Sequence, residues 1–250
     1  MDATTDFASL WAAIADVEGW LTEAQARRLH DRARVLRPGQ RIVEIGSYRG
    51  RSAIVLASSA PEGVEVVAID PHAGNDRGPR EIHGTHDEGQ ADNDAFWQNL
   101  RSAGVADRVT HVRKPSDAAH GDVAGEIDLL YVDGAHRYAP ALGDIRRWGA
   151  RVAPGGTMLV HDSFNSVGVT GAQLRALVFG REFRYAGRST SMSEYRREPV
   201  AGRERVANAG RQLAQLGYFA QSIAIKVALV ARQPAVARAL GHRGDAPWPY

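Results

Sequence analysis

The chain has 250 residues, which is enough for one sizeable α/β domain with terminal additions. Its net charge is +2 and acids and bases alternate along it, so it lacks the strongly basic face of a nucleic-acid-binding protein. The absence of cysteine excludes disulfides, thiol nucleophiles and cysteine-based zinc sites. We see no signal peptide and no apolar run of the ~18 residues that a membrane span needs, so we expect a cytoplasmic protein without a membrane span.

The N-terminal region has the spacing of amphipathic helices. Apolar residues recur at three- and four-residue steps over residues 7–17, and Thr22 precedes a second helix start. A Pro-Gly pair then ends the helical pattern. We predict a helical cover over residues 1–38, a main domain over 39–200 and a helical extension over 201–250.

A buried strand, a glycine turn and a helix start follow one another over residues 41–54. Residues 42–45 predict the strand, Gly46 and Gly50 lie in the turn, and a helix opens near Ser52. This unit points backbone N–H groups into a crevice at the carboxyl edge of a sheet. We expect the crevice to bind a small ligand and the later elements to form its walls.

The glycine spacing favours a ligand that carries positive charge. A dinucleotide turn reads G-x-G-x-x-G, which lets the backbone approach a pyrophosphate. Here one glycine is missing, and Glu44 stands two residues before Gly46. A carboxylate there would repel a pyrophosphate but suits the ammonium and sulfonium groups of S-adenosylmethionine. The alternative is an ordinary strand–helix turn that uses glycine for its positive φ.

The second predicted strand, residues 64–70, ends in an acid. Asp70 lies about 20 residues beyond the turn, where an acid of nucleotide-binding α/β folds binds the ribose hydroxyls. The combination of a glycine turn with this acid is more specific than either part. A solvated aspartate at a strand end is the alternative.

Residues 71–94 are polar and predict an irregular loop, which is unusual in a compact domain and often functional. His72, His83 and His86 suggest a metal site, but their spacing fits no standard zinc pattern. We favour a solvated lid that contacts the acceptor substrate.

Three further strands are predicted after a helix over residues 95–103. They cover residues 109–112, 127–133 and 157–162, and a turn at Pro154-Gly-Gly156 precedes the last. The first leads into a turn with Ser116 and Asp117, where an adenine ring would lie. The other two end in Asp133 and Asp162, so both acids are expected at the sheet edge that holds Gly46.

The C-terminal part predicts a weak antiparallel strand pair, over residues 182–186 and 191–195, and then helices. Residues 206–240 indicate two amphipathic helices, split by Gly217 and Pro234. Their apolar residues exceed what one helix face normally buries, so either packing against the domain or a homodimer interface is indicated. The arginines in this region predict a solvated helix face rather than a polyanion site.

With these strands placed, the sequence resembles the class I S-adenosylmethionine-dependent methyltransferases. The run Tyr131-Val-Asp-Gly-Ala-His-Arg-Tyr138, together with Pro154-Gly-Gly156 and His161-Asp162, is similar to the macrolide-sugar O-methyltransferases and the cephalosporin-pathway methyltransferase-like enzymes. Bacterial O-methyltransferases of methylmannose polysaccharides are also similar. The resemblance implies an α/β, doubly wound, mostly parallel seven-stranded sheet of the Rossmann-like methyltransferase type, with extra N- and C-terminal helices.

The resemblance also implies roles for individual residues. The cofactor S-adenosylmethionine is expected to contact the glycine loop and the acids and turn that follow the strands: Glu44, Gly46, Ser47, Gly50, Ser52, Asp70, Ser116, Asp117 and Asp133. In the macrolide-sugar enzymes Mg²⁺ is bound by the aspartate of D-G-x-H and by an acidic pair after strand five, and the histidine of D-G-x-H is the base. These positions are Asp133, Asp162 and His136.

This sequence departs from that pattern at His161, which stands where the family has an acid. Mg²⁺ prefers oxygen ligands, and successive residues of a strand face opposite sides. We therefore expect Asp162 in the metal shell and His161 on the other side, in the core or behind the ligands. Asp133 as a helix cap and His136 as a strand-end histidine bonded to the backbone are the alternatives.

We therefore expect an Mg²⁺-assisted O-methyltransferase that acts on a hydroxyl of a sugar or short oligosaccharide. The alternatives are an O-methyltransferase of another small molecule, such as a natural product or a catechol-like compound, and a non-catalytic module that binds S-adenosylmethionine.

Overall fold

A computed structural model describes residues 6–73 and 86–242. Within these residues, seven strands form one sheet in the order β3-β2-β1-β4-β5-β7-β6. The strands are β1 Arg41–Ile45, β2 Glu65–Ile69, β3 Val109–Val112, β4 Ile127–Val132, β5 Val152–Val160, β6 Phe183–Ser189 and β7 Met192–Arg197. Strands β1 to β5 are parallel, β7 pairs antiparallel with β5, and β6 pairs antiparallel with β7 at the edge of the sheet. The predicted fold class is confirmed.

Helices cover both faces and both ends of the sheet. In the described part of the chain they are α1 Phe7–Ala13, α2 Glu23–Ala33, α3 Arg51–Ser59, α4 His86–Ser102, α5 Tyr138–Arg147, α6 Val167–Gln173, α7 Gly202–Leu213, α8 Leu216–Val230 and α9 Pro234–Ala239. A short π-helical segment, Leu174–Val178, continues α6. Thr22 caps α2 as the sequence predicts, in a capping box with Gln25.

The central strands are apolar on both faces because helices cover both. Ile42 of β1 belongs to one buried cluster, with residues of α1, α2 and α3, whereas Val43 belongs to the cluster on the opposite face, with residues of α5 and α6. The sheet is therefore the middle layer of three, and its carboxyl edge is left open for a site.

Helix α4 begins nine residues earlier than the sequence predicts. Residues 86–94 are helical, not irregular, while residues 74–85 lie outside the described part of the chain. The buried positions of α4 are Gly89, Asn93, Phe96 and Leu100, at three- and four-residue steps. The first two are not apolar, so the helical period is hidden in the sequence. Gly89 is required because a Cβ there would lie 2.0 Å from the carbonyl oxygen of His72.

The other predicted boundaries of helices and strands differ less from those of the structure. Strand β5 begins at Val152 and includes the Pro-Gly-Gly segment predicted as a turn. The C-terminal extension has three helices; Pro234 starts α9, but Gly217 lies within the first turn of α8. The predicted antiparallel pair is confirmed as β6 and β7.

The N-terminal helices share the core of the sheet and are bound to its far hairpin. Phe7, Leu10 and Leu29 are buried in the same cluster as Ile42. The carboxylate of Glu194 in β7, whose side chain is 1% exposed, pairs with Arg28 at 2.5 Å and Arg32 at 2.9 Å on α2. This ion pair network, with a buried acid and partly exposed arginines, holds α2 against β7.

One helical stretch of the described residues, Gly202–Val230, is apolar and long enough to cross a membrane by length and composition, with 17% of its window buried. The sequence analysis looked only for uninterrupted apolar runs and therefore did not identify this stretch. Core helices of soluble proteins meet the same criterion. Its first half is attached to the sheet, because Asn208 accepts a hydrogen bond from the N–H of Tyr185 and donates one to the carbonyl of Phe183.

Strand β1 carries an acid in the core. Glu44 is fully buried, and burial raises its pKa from 4.5 to about 8, although the hydroxyls of Ser52 and Ser47 act in the opposite direction. The folded protein thus retains a proton on Glu44 between pH 4.5 and 8 that the unfolded chain releases. The free energy of unfolding therefore falls as the pH rises through this range, and it falls no further on account of Glu44 above it.

We predict that Glu44→Gln removes this loss. The unfolding temperature of the variant relative to the parent protein should rise by several degrees between pH 5 and pH 8 and then level off. Thermal unfolding without added ligand, measured at several pH values, checks this. Glu62→Gln on the surface is the control. A difference in unfolding temperature between Glu44→Gln and the parent protein that does not vary with pH would contradict the prediction.

Candidate active site

A cavity of about 750 Å³ opens at the carboxyl edge of the sheet. Its walls come from the glycine turn after β1, the ends of β2 and β4, the start of α5 and the segment between α1 and α2. The predicted site residues that line it are Gly46, Ser47, Ser52, Asp70, Ser116, Asp117, Asp133 and His136. The structure therefore brings most of the predicted site into one cavity.

Gly46 permits the turn to pass beneath the end of β4. Its φ is 85°, and a Cβ there would lie 2.2 Å from the carbonyl oxygen of Asp133. Glycine is needed for both reasons, since other residues rarely adopt this conformation and none would fit. The turn is also bonded to β2 through the N–H of Gly46, which donates to the carbonyl of Ile69 at 2.8 Å.

The carboxylate of Asp70 binds the same turn. Its Oδ2 accepts the backbone N–H groups of Ser47 at 2.9 Å and Tyr48 at 2.8 Å, and its Oδ1 accepts that of His72 at 2.8 Å. Tyr48 and His72 both have positive φ, 46° and 44°. Asp70 thus shapes the turn and still lines the cavity.

Two predicted cofactor residues do not line the cavity. Glu44 is buried on the α3 side of β1, and Gly50 faces α4, where a Cβ would lie 2.6 Å from Leu100 Cδ1. Their contact with a cofactor remains a prediction. Arg51 lines the cavity instead; burial lowers its pKa, and its guanidinium lies over the Trp11 ring and donates to the Gly19 carbonyl.

The end of the cavity that is formed by the turn after β3 is polar, and hydrogen bonds fix its side chains. Ser116 Oγ donates to the Asp144 carboxylate at 2.5 Å, and the indole N–H of Trp148 donates to the carbonyl of Ser116 at 3.2 Å. Burial raises the pKa of Asp144 to about 6. These bonds fix the turn after β3 in which Ser116 and Asp117 were predicted to flank an adenine ring.

Two aspartates and two histidines meet where β4 and β5 end. His136 Nε2 lies 2.7 Å from Asp162 Oδ2. His161 Nδ1 lies 3.0 Å from Asp133 Oδ1 and 3.2 Å from Asp162 Oδ2. The sequence placed His161 and Asp162 on opposite sides, as in a strand. They follow the end of β5, however, and Asp162 has a φ of 51°, so His161 contacts both carboxylates.

The charges in this cluster compensate one another. Burial alone lowers the pKa of His161, but the carboxylates of Asp133 and Asp162 raise it to about 10. Burial alone raises the pKa of Asp162, but His161 and His136 hold it well below its ordinary value. At neutral pH, His161 is therefore an imidazolium between two carboxylates.

The same carboxylates are candidate metal ligands. One ligand atom from each of Asp133, His136 and Asp162 lies within 4.8 Å of the other two. Two carboxylates supply the oxygen ligands that Mg²⁺ prefers, so the donor set fits a divalent cation. Asp162 is 3% exposed and does not line the large cavity, whereas Asp133 and His136 do.

The loop after β5 is buried and strained. Residues 161–165 are all buried, and both Asp162 and Phe164 have positive φ, 51° and 54°. Ser163 Oγ donates to the carbonyl of Val160 at 2.7 Å and accepts from Gln173 Nε2 at 2.7 Å. Such a conformation persists because the surroundings fix it.

The sequence indicated a helical cover over residues 1–38, but it did not indicate which residues between α1 and α2 form a wall of the cavity. Glu18, Gly19 and Trp20 line the cavity, and Trp20 packs on Tyr48 with ring centroids 5.2 Å apart. The hydroxyl of Tyr48 donates to Glu18 Oε1 at 3.0 Å. A Glu-Gly-Trp segment between two helices is a sequence signal for a loop, but nothing in it indicates the partner.

The histidines of the predicted lid form no metal site in the described residues. His72 lines the cavity, and its ring packs on Phe96 and His111 at centroid distances of 5.5 and 4.9 Å. Burial lowers the pKa of His72 and lowers that of His111 to about 4. His83 lies outside the described residues, so the lid remains a prediction.

Residues 43–163, just under half of the chain, match a protein family described as a methyltransferase domain. Solved structures with the same fold include the cofactor-bound Rv0187 protein from MTB, with 20% identity and a TM-score of 0.56 over 77% of this chain and 89% of that one. The O-methyltransferase TomG from Streptomyces achromogenes, involved in tomaymycin synthesis and solved with SAM, has 20% identity and a TM-score of 0.50 over 81% and 91%. An O-methyltransferase from Bacillus cereus, solved with SAH, has 16% identity and a TM-score of 0.51 over 78% and 89%. The chain thus has the α/β Rossmann-like methyltransferase fold, and its cavity lies within and around the matched methyltransferase region.

Proposed function

We propose that this protein is an S-adenosylmethionine-dependent O-methyltransferase that methylates a hydroxyl of a sugar or short oligosaccharide. The observation that carries the proposal is the His136–Asp162 pair, in which His136 lines the same cavity as the glycine turn and Asp70 while the buried Asp162 lies behind it. A histidine fixed by a buried carboxylate beside a cofactor cavity is suited to remove a proton from an acceptor.

The cavity has the groups that S-adenosylmethionine needs. Asp70 at the end of β2 is the candidate ligand of the ribose hydroxyls, and Ser116 and Asp117 flank the proposed adenine position. The backbone of Asp133 lies beside Gly46 and Asp133 lines the cavity, so we assign its carboxylate the role of stabilising a positively charged sulfonium. The same carboxylates disfavour a pyrophosphate, which argues against a dinucleotide.

Methyl transfer to a hydroxyl is an in-line displacement in which the oxygen forms a bond to the methyl carbon as the bond to sulfur breaks. The neutral thioether leaves readily, but a sugar hydroxyl is protonated at neutral pH and is a poor nucleophile. A base that takes its proton is therefore required.

The hydrogen bonding of His136 defines which ring nitrogen is the base. Since the Asp162 carboxylate only accepts hydrogen bonds, His136 Nε2 carries the hydrogen in the 2.7 Å contact. In the neutral ring, Nδ1 is then the acceptor, and we assign it the proton of the acceptor hydroxyl. Asp162 stabilises the imidazolium that results.

We also propose that Asp133 and Asp162 hold Mg²⁺, with oxygen atoms of water or the acceptor completing its ligands. When bound, the ion would lower the pKa of a coordinated hydroxyl and orient a diol. The His161 imidazolium and a divalent ion would compete for the same carboxylate oxygens.

The sugar acceptor rests on the resemblance and on the aromatic pair Trp20 and Tyr48 in the cavity wall. Such rings stack on sugar rings, but also on aromatic acceptors, so a phenolic or other natural-product hydroxyl is the second candidate. TomG, which takes part in tomaymycin synthesis, shares this fold.

A non-catalytic module would have no use for a buried carboxylate oriented at His136. A homodimer, a cytoplasmic location and the three-part division of the chain remain predictions.

A screen of mono- and oligosaccharides and phenols with methyl-labelled S-adenosylmethionine tests the proposal. We expect label to enter a carbohydrate, and less label to enter after treatment with EDTA. Transfer to phenols alone would exclude the sugar acceptor. Cofactor binding without transfer to any acceptor class would favour the non-catalytic alternative.

We predict that Asp70→Asn weakens the binding of S-adenosylhomocysteine by roughly 10- to 100-fold, because an amide cannot accept all three N–H groups that the carboxylate accepts. Calorimetric titration measures this. Asp107→Asn, on the surface before β3, is the control and should bind like the parent protein. Equal affinities for all three proteins would remove Asp70 from the cofactor site.

We predict that His136→Ala lowers kcat by about 10²- to 10⁴-fold, because the hydroxyl loses its base. The affinity for S-adenosylhomocysteine should stay close to that of the parent protein. His30→Ala, on α2, controls for the loss of an imidazole elsewhere. A kcat that is unchanged in His136→Ala would show that another group is the base.

Magnesium binding is predicted to depend on Asp162. Calorimetry with MgCl₂ should give a binding isotherm for the parent protein and at least about tenfold weaker binding for Asp162→Asn. Asp144→Asn, which changes a buried acid outside the cluster, should bind Mg²⁺ normally. No heat from the parent protein, together with full activity in EDTA, would exclude the metal.

A further inference from the structure

Helix α8 lies outside the matched region and directs its one charged residue at the loop after β5. Its sequence, Leu216–Val230, contains a single charge, Lys226. The ammonium of Lys226 donates to the backbone carbonyl of Asn165 at 2.8 Å. Because the ammonium of this lysine binds one specific carbonyl, it fixes the position of that carbonyl.

Asn165 extends this contact into the aspartate–histidine cluster. Its side-chain Nδ2 donates to Asp162 Oδ1 at 3.1 Å, and its backbone N–H donates to the carbonyl of Asp162 at 3.2 Å. The other carboxylate oxygen, Oδ2, is 2.7 Å from His136 Nε2. The two oxygens of Asp162 are thus held by different groups: Asn165 binds Oδ1, whereas His136 and His161 contact Oδ2.

The backbone of this loop needs such support. Asp162 and Phe164 both adopt left-handed conformations that are unfavourable for residues other than glycine. The hydrogen bonds of Ser163 hold the loop on the side of the sheet, through Val160 and Gln173. Lys226 holds it from the side of the C-terminal extension.

We propose that Lys226 is a positioning residue: it fixes Asn165, which orients the Asp162 carboxylate, which in turn orients the ring of His136. The inference rests on the proposed role of His136 as the base. It makes the C-terminal extension part of the active site, although no residue of α8 lines the large cavity.

The first test is a pair of variants on α8. Lys226→Met keeps the length of the side chain and removes the donor. Gln221→Met is the matched control, because Gln221 also donates to a backbone carbonyl at 2.8 Å, that of Leu240 in the extension itself. We expect Lys226→Met to lower kcat by roughly 10- to 100-fold with KM nearly unchanged, and Gln221→Met to change neither.

Equal losses of kcat in the two variants would assign the effect to the packing of α8 and overturn the proposal. Asn165→Ala breaks the same path without altering α8 and should reproduce the loss. Normal kcat in Asn165→Ala would likewise overturn it.

A double-mutant cycle with His136→Ala separates positioning from a general structural effect. If Lys226 acts through His136, Lys226→Met should cause almost no further loss of kcat in the His136→Ala background. Additive losses in the double variant would overturn the proposal.

The NMR shifts of the His136 ring nitrogens provide a readout that does not require activity. They should change in Lys226→Met and stay constant in Gln221→Met. If they change while the parent protein methylates no acceptor, the positioning role stands and the proposed function fails. If they stay constant in Lys226→Met while the parent protein is active, the positioning role fails and the proposed function stands.

Discussion

The carboxylate of Asp70 is the interaction on which the site depends. Three backbone N–H groups converge on it, two from the turn after β1 and one from the chain beyond β2. These donors lie outside the ladders of the sheet and would otherwise lack an acceptor. The side chain of Asp70 at the end of β2 therefore determines how the glycine turn is placed, and the turn determines the floor of the cavity.

A second constraint comes from the ends of β4 and β5. Parallel strands bring Asp133 and Asp162 to one edge, where two adjacent negative charges would repel each other. His161 lies between them as an imidazolium and relieves the repulsion, and His136 contacts the same oxygen of Asp162, Oδ2. His161, which stands where the macrolide-sugar enzymes that the sequence resembles have an acid, is thus a source of positive charge in the protein itself.

Much of the fold could be predicted because the decisive residues act locally. Apolar runs identified the central strands, Thr22 marked the start of α2, and the spacing from Gly46 to Asp70 indicated the cofactor edge. Helix α4 was misjudged because Gly89 and Asn93 occupy buried positions that usually carry apolar residues, and the reason for Gly89, contact with the backbone of His72, is tertiary.

The parts of the site that could not be predicted depend on distant contacts. Glu18 and Trp20 form a wall of the cavity through contacts with Tyr48, which lies beyond α2 and β1 in the chain. Lys226 meets Asn165 only after the C-terminal helices have packed. The contact of His161 with both carboxylates follows from the left-handed backbone of Asp162, which no spacing rule indicates.

We propose that this cavity binds a sulfonium donor of methyl groups rather than a dinucleotide. Calorimetric titration of the full chain with S-adenosylhomocysteine and, separately, with NAD tests it most directly. We expect S-adenosylhomocysteine to bind at one site per chain and NAD to give no binding heat at the same concentration. Binding of NAD without binding of S-adenosylhomocysteine would contradict the account.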